Sequence, residues 1–154
     1  MASKNRVKPF GIAAQVGLLR SMFPTSTATN LRDKELIWQH KIKPSPLSEE
    51  YTVKLEYKIG ASPKMYVVKP KPLPLANKAT ELPHVYDQKK QRLCLYYPDG
   101  NQWNSSMPLA KTVVFWAYEW LYHYELWLGT DDEWKGGGVH PFENQPKIDD
   151  TKSK

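Results

Sequence analysis

The hydrophobic spacing near the amino end is helical. Apolar side chains recur three or four positions apart at Ile12, Val16, Leu19 and Phe23. This spacing places them on one face of an amphipathic helix, and Pro24 follows where the backbone can no longer continue the helical hydrogen bonding. The sequence therefore predicts a short helix over residues 11–23.

Three later segments have the patterns of β-strands. Residues 51–59 alternate between apolar and polar positions, which is typical of a strand with one buried face. Residues 35–43 and 64–68 contain shorter apolar runs bounded by proline or by a turn. Because short connections join them, the three segments predict an antiparallel meander. The Thr- and Ser-rich residues 25–30 predict a loop before it.

The carboxy-terminal half begins with an irregular segment and continues with a second helix. Residues 75–102 show no strong periodicity, and a loop of that length in a compact domain is more often functional than idle. From Leu109 to Leu128, apolar and aromatic residues follow one helical stripe between Pro108 and Gly129. We therefore expect a long helix that faces the core.

This order of elements predicts an α+β fold, with an N-terminal helix and a long central helix packed on an antiparallel meander sheet. A chain of 154 residues, with 40% hydrophobic content, is large enough for one core. We expect a single domain over residues 10–142, with a flexible N-terminus at residues 1–9 and a flexible tail at residues 143–154.

The charge pattern and the lack of evident targeting signals limit the classes of function that the sequence predicts. The formal net charge of +6 could favour nucleic acid, but the lysines are scattered along strand faces, which favours a role in solubility. No segment reaches the roughly 20 apolar residues that span a bilayer, and no signal peptide is evident. These features predict a cytoplasmic protein with neither a nucleic-acid partner nor a membrane partner.

No resident metal or cofactor is expected. The chain has one cysteine, and His40 and His123 lack a second ligand at metal-binding spacing. The glycines at 136–138 are not placed between a strand and a helix, so they do not form a phosphate-binding loop. The chain is therefore not expected to activate a carboxylate with a nucleotide by itself.

Cys94 is the one residue that could serve as a nucleophilic thiol. His84, Lys89, Lys90 and Arg92 are close to it in sequence, and nearby cations favour the thiolate. The alternative is that Cys94, between Leu93 and Leu95, acts as a small buried hydrophobic residue. Composition alone does not decide between these interpretations.

The neighbourhood of Cys94 resembles the ubiquitin-conjugating enzymes. Their His-Pro-Asn signature and their Ile-Cys-Leu segment correspond here to Leu82-Pro83-His84 and Leu93-Cys94-Leu95, followed by Trp103 and a helix. The resemblance covers about residues 10–130. It implies the ubiquitin-conjugating fold, and it implies that Cys94 carries an acyl group as a thioester before transferring it to an amine, for example a target lysine.

The carboxy-terminal half is more specifically similar to the prokaryotic conjugating enzymes of cyclic-oligonucleotide-based antiphage signalling (CBASS) operons. The segments that carry this similarity are Pro83–Tyr86, Leu93–Tyr96, Trp116–Leu121, Tyr124–Trp127 and Gly136–Pro141. The resemblance implies a protein partner, a nucleotidyltransferase similar to cyclic GMP-AMP synthase. Its carboxy terminus would be the acyl group on Cys94, and its activity would be regulated by the transfer.

His84 departs from the signature, because it occupies the place of the asparagine. It could donate a hydrogen bond to the oxyanion or act as a general base, or it could only brace the loop after Pro83. Tyr96 and Trp103 could form a wall beside Cys94 or a partner surface. His140 could return toward Cys94 or lie in a surface turn. A further alternative is a catalytically inactive module of this fold that only binds a partner protein, with Cys94 buried and dispensable.

Overall fold

The structure is a computed structural model, and it describes residues 8–97, 101–130 and 134. The expected flexible ends lie outside these residues, apart from Lys8 and Pro9. The helices and strands, in chain order, are α1 Ile12–Met22, β1 Thr27–Leu31, β2 Glu35–Ile42, β3 Tyr51–Lys58, β4 Lys64–Lys69, β5 Val85–Asp87, β6 Arg92–Leu93 and α2 Val113–Thr130. A single 3-10 turn, Leu109–Lys111, precedes α2.

Helix α1 confirms the first predicted element. Its buried side chains are Ile12, Gln15, Val16 and Leu19. Gln15 is the unexpected member of this face, and both ends of its amide are satisfied: Nε2 donates to the Met107 carbonyl at 3.0 Å, and Oε1 accepts the Leu109 amide at 2.9 Å. A buried amide with all its partners is tolerated in a core, so Gln15 ties α1 to the start of the 3-10 turn.

The sheet has six strands in the order β1-β2-β3-β4-β6-β5, and all neighbouring pairs are antiparallel. The strands predicted at residues 35–43, 51–59 and 64–68 are confirmed as β2, β3 and β4 within one residue at each end. In β3, every second side chain from Tyr51 to Tyr57 is buried, as the alternation predicted. Ile59 lies beyond the strand and is 52% exposed, so it does not continue the buried face.

The prediction of a loop over residues 25–30 is wrong, because β1 begins at Thr27 and pairs with β2 from Thr27↔Gln39 to Leu31↔Glu35. β1 lies at one edge of the sheet, and Ala28 is its one buried residue. An exposed edge strand does not need an apolar face, so polar residues can form it without the alternating pattern that marks a half-buried strand.

The irregular segment at 75–102 also contains more structure than its sequence predicted. β5 and β6 form a short hairpin, and β6 pairs with β4, so the meander is longer than the three predicted strands. Strands of three and two residues are too short for periodicity to show in the sequence. The Asp87 carboxylate accepts the Lys90 amide at 2.8 Å and closes the turn between the two strands.

Helix α2 confirms the predicted long helix, although it begins at Val113 and the expected first turn, Leu109–Lys111, is the separate 3-10 turn. Its buried residues are Val113, Val114, Ala117, Trp120, Leu121, Tyr124 and Trp127. The helix continues through Gly129 to Thr130, so the glycine does not end it as expected. Within the part of the chain that the structure describes, no helix is both long and apolar enough to cross a bilayer.

Residues from both helices, the sheet and the segment before β5 form one hydrophobic core. The α+β prediction is thereby confirmed. The β5–β6 hairpin lies at one edge of the sheet, with Cys94 directly after β6 and the indole of Trp120 from α2 bonded to the residue before β5.

Candidate functional site

The main chain brings Cys94 and His84 together. The two residues flank the β5–β6 hairpin, in which Val85 is paired with Leu93. The Cys94 amide donates to the His84 carbonyl at 3.0 Å. Pairing of two strands therefore places side by side two residues that are ten positions apart in the sequence.

The same His84 carbonyl accepts a second hydrogen bond, from Nε1 of Trp120 at 2.9 Å. His84 has a positive φ of 50° after the half-buried Pro83. This left-handed conformation is uncommon for residues other than glycine, although histidine tolerates it better than most. Two donors on one carbonyl hold the turned peptide in place and connect the hairpin to α2.

The imidazole of His84 faces the indole of Trp134, with ring centroids 5.1 Å apart. Trp134 also lies 5.1 Å from Trp120 and 6.4 Å from His123, again between ring centroids. The His84 carbonyl therefore bonds Cys94, while the His84 ring packs against Trp134, which also contacts Trp120 and His123 of α2.

The thiol of Cys94 is buried, with 1% of the residue exposed, and it forms no disulfide. Burial raises its pKa to about 11, because the thiolate loses its hydration in the interior. A hydrogen bond with Tyr86 and the positive charge of Arg92 lower the pKa, but they offset this effect only in part. The resting thiol is therefore protonated at neutral pH.

Tyr86 is the site residue that the sequence did not single out. Its hydroxyl donates to the Tyr96 carbonyl at 2.6 Å. The same hydroxyl acts on the Cys94 thiol and lowers its pKa. The Arg92 guanidinium lies over its ring, 4.9 Å from the centroid. Tyr86 belongs to a segment that carried the family resemblance, but only the hairpin pairing places its hydroxyl beside the thiol.

Tyr96 contributes to this site through its main chain. Its carbonyl accepts the Tyr86 hydroxyl, while its own hydroxyl donates to the Pro63 carbonyl at 2.5 Å. Its ring packs against Trp116 with centroids 5.8 Å apart, and burial raises the pKa of its hydroxyl to about 12. These contacts hold Tyr96 in place, and its carbonyl in turn fixes the Tyr86 hydroxyl.

Trp103 is half-buried and packs elsewhere among the described residues. Its ring lies 5.3 Å from that of Tyr57, and its Nε1 donates to the Thr112 hydroxyl at 3.2 Å. These contacts fix the segment before α2, and none of them involves Cys94. His140 lies outside the described residues.

The described residues contain no group of three or more histidine, cysteine, aspartate or glutamate side chains that could hold a metal ion. His40 lies among the rings of Phe23 and Trp38, each 5.6 Å away between centroids, and burial lowers its pKa. These contacts give His40 a structural environment on the sheet.

The fold and the site together define a class: an α+β protein with its single cysteine at the end of a sheet hairpin, next to a histidine in a left-handed turn. Residues 15–141 match the family model of the type II CBASS E2 protein, and the chain belongs to this family. No curated protein matches the chain. The match includes all the site residues described above, and it confirms the resemblance to CBASS conjugating enzymes.

Proposed function

We propose that this protein acts as a ubiquitin-conjugating-like enzyme of an antiphage system, with the corresponding fold and with Cys94 as its thioester carrier. The acyl group is the carboxy terminus of a nucleotidyltransferase similar to cyclic GMP-AMP synthase. Its transfer to an amine regulates the nucleotidyltransferase. The observation that carries the proposal is that the single cysteine lies at the hairpin beside His84, inside the region that matches the CBASS E2 family.

The reaction has two steps. The Cys94 thiolate attacks the carbonyl carbon of an already activated carboxy terminus, and the activating group leaves with its electron pair. An amine then attacks the thioester, loses a proton, and displaces the thiolate to form an amide. Each step passes through an oxyanion that needs hydrogen-bond donors more than a strong base.

The donors for this oxyanion have to come from groups other than the Cys94 amide, which is already bonded to the His84 carbonyl. We assign this role to the imidazole of His84 together with main-chain amides of the loop after Cys94. The main-chain hydrogen bond that holds His84 beside Cys94 supports this assignment, and the imidazole has to leave the Trp134 indole to reach the oxyanion.

Loading requires that the thiol become exposed. A thiol with a pKa of about 11 is a thiolate in only about one molecule in 10⁴ at pH 7, and at 1% exposure a protein carboxy terminus does not reach it. We therefore expect docking of the nucleotidyltransferase to rearrange the residues that cover Cys94, as regulatory interactions commonly do.

The experiment is reconstitution with the nucleotidyltransferase, whose carboxy terminus is supplied already activated as a thioester. Wild-type protein is expected to form an adduct that hydroxylamine and thiols cleave. Cys94→Ser should retain the acyl group as an oxygen ester, which hydroxylamine cleaves much more slowly, and Cys94→Ala should form none. Phage protection is then compared between wild type and Cys94→Ala.

The proposal fails if wild-type protein forms no thiol-sensitive adduct under conditions that detect one, and if Cys94→Ala protects cells as well as wild type does. A matched control is Cys94→Ala with its thermal unfolding measured. A loss of protection counts only when the variant remains folded.

A second candidate function is a binding module that holds the partner without chemistry. The observation that favours it is the burial of Cys94, because this alternative expected a buried cysteine. Labelling of native protein with a maleimide separates the two. The enzyme is expected to label faster once its partner is added, whereas the binding module stays unlabelled and functions with Cys94→Ala.

A further inference from the structure

Within the part of the chain that the structure describes, two neighbours of Tyr86 can share its one hydroxyl proton. The Tyr96 carbonyl accepts the hydrogen bond of the hydroxyl at 2.6 Å, and the Cys94 thiol is close enough for the same hydroxyl to lower its pKa. A carbonyl can only accept, whereas a thiol can donate and a thiolate can only accept. The direction of the hydrogen bonds therefore depends on the protonation state of Cys94.

In the resting state, the Tyr86 hydroxyl donates to the Tyr96 carbonyl. The neutral Cys94 thiol can then share this hydroxyl only by donating to its oxygen. When the sulfur carries a negative charge, it can no longer donate. The Tyr86 hydroxyl then gains more by turning to the sulfur, because hydrogen bonds to a charged acceptor are about twice as strong as neutral ones.

We propose that Tyr86 is a catalytic residue for the reaction at Cys94: its hydroxyl switches from the Tyr96 carbonyl to the sulfur whenever the sulfur bears negative charge. This inference rests on the proposed function and names a group that it did not include. The switch serves both steps, since the thiolate is the nucleophile in the first and the leaving group in the second.

The surroundings of Tyr86 favour this role. Burial raises the pKa of its hydroxyl well above the usual range, so the group stays a donor and does not become a base at physiological pH. The Arg92 guanidinium above the ring restricts its position and adds a positive charge near the sulfur. Tyr86 and Arg92 are the titratable groups that act on the Cys94 thiol in the described structure.

The switch of the Tyr86 hydroxyl stabilises states with a negatively charged sulfur more than states with a neutral sulfur. In the acylated enzyme, the sulfur is neutral, and the Tyr86 hydroxyl returns to the Tyr96 carbonyl. When the amine displaces the Cys94 thiolate, the carbon–sulfur bond breaks, its electron pair goes to sulfur, and the Tyr86 hydroxyl donates to the developing negative charge. An interaction that is stronger in the transition state than in the ground state accelerates the step.

The first test measures the ionisation of Cys94 directly. Because the chain has a single cysteine, labelling cysteine with ¹³C at Cβ gives one NMR signal that follows the thiol through its titration. Tyr86→Phe keeps the ring under Arg92 and removes only the hydroxyl. We expect a smaller ionised fraction in this variant than in wild type, at the highest pH at which both remain folded.

Tyr124→Phe is the matched control. Tyr124 is buried and donates its hydroxyl to the Pro74 carbonyl at 2.5 Å, so its loss also leaves a main-chain carbonyl without that donor. Its Cys94 titration should follow that of wild type. Identical titrations in Tyr86→Phe and wild type overturn the proposal, because a merely structural role of Tyr86 does not move the ionisation of Cys94.

The second test uses phenyl thioacetate as the acyl donor, followed by hydroxylamine discharge, with both steps monitored by intact-protein mass. For a tenfold lower thiolate fraction, the compensating rise in nucleophilicity leaves about a threefold slower exchange in Tyr86→Phe. Equal rates in all three proteins overturn the proposal. If Cys94 ionisation depends on Tyr86 but the nucleotidyltransferase forms no adduct, then the proposed function fails while the contact between Tyr86 and the thiolate stands.

Discussion

Gln91 is a buried polar residue whose side chain makes three hydrogen bonds to the main chain. Its Oε1 accepts the Leu73 amide at 2.6 Å, and its Nε2 donates to the carbonyls of Val67 and Pro70 at 2.9 and 3.0 Å. It is 2% exposed, so water cannot readily replace these bonds. Gln91 therefore connects β4, the proline-rich segment and the start of β6.

We expect Gln91→Ala to lower the free energy of unfolding by about 3 kcal/mol, because each buried main-chain group left without a partner costs about 1–3 kcal/mol and water recovers some of this in the space left behind. Urea denaturation measures the loss. Gln88→Ala is the control, since Gln88 bonds both the amide and the carbonyl of Leu82 but is exposed, and it should cost less than about 1 kcal/mol. Equal losses would contradict this account of Gln91.

At the scale of elements, the sequence predicted what periodicity can encode. Helix α1 and strand β3 bury one face each, so their apolar spacing is visible, and α2 shows the same signal over five turns. Strand β1 was missed because an edge strand needs little apolar surface. The β5–β6 hairpin was missed because pairing with β4, rather than its own pattern, determines it.

The candidate site was likewise predicted only in part from the sequence. Cys94 and His84 were found through the motif, although nothing in their spacing shows that the Cys94 amide bonds the His84 carbonyl. Tyr86 was not found, because the placement of its hydroxyl depends on the alternation of a three-residue strand and on a bond to Tyr96. Contacts that depend on tertiary pairing are not encoded in local sequence patterns.

The hairpin is connected to α2 through the bond from the Trp120 indole to the His84 carbonyl. Trp120→Phe keeps an aromatic ring in the core and removes the donor. We expect a stability loss of about 1–3 kcal/mol from the cavity and the lost hydrogen bond. We also expect faster hydrogen exchange at the Cys94 amide and faster maleimide labelling of its thiol, because the hairpin can separate more easily from the helix.

Trp127→Phe is the control for this prediction. Trp127 is a buried tryptophan of the same helix, 6.0 Å from Tyr124 between ring centroids. This substitution also replaces an indole by a phenyl ring in the hydrophobic core. It should destabilise the protein without selectively increasing exchange at Cys94. If both variants expose Cys94 equally, then general loosening of the core explains the effect, and the bond to His84 does not control access to the thiol.

At the scale of the whole molecule, burial of the thiol and of several tyrosine hydroxyls makes the free energy of unfolding depend on pH in the alkaline range. Burial raises the pKa of Cys94 from its ordinary value of 9.0 to about 11, and it raises those of Tyr51, Tyr86 and Tyr124 as well. Above pH 9 the unfolded chain releases these protons before the folded chain does. The folded state therefore binds more protons, and its stability falls as the pH rises.

The contribution of Cys94 can be isolated by comparing wild type with Cys94→Ala in urea denaturation at several pH values. The stability that the raised pKa contributes is fully present below pH 9 and is lost as the pH rises toward 11 and beyond, by about 3 kcal/mol in total. The cost of the smaller side chain is the same at all pH values, and the ionisation of Tyr51 and Tyr124 is common to both proteins, so both cancel in the change of the difference. Burial, the largest cause of the raised pKa of Tyr86, keeps its hydroxyl protonated in both folded proteins across this window. We therefore expect wild type to lose stability relative to Cys94→Ala across this window. A difference that stays constant with pH would mean that the folded protein exposes its thiol as readily as the unfolded chain does, and the need for a partner to uncover Cys94 would disappear with it.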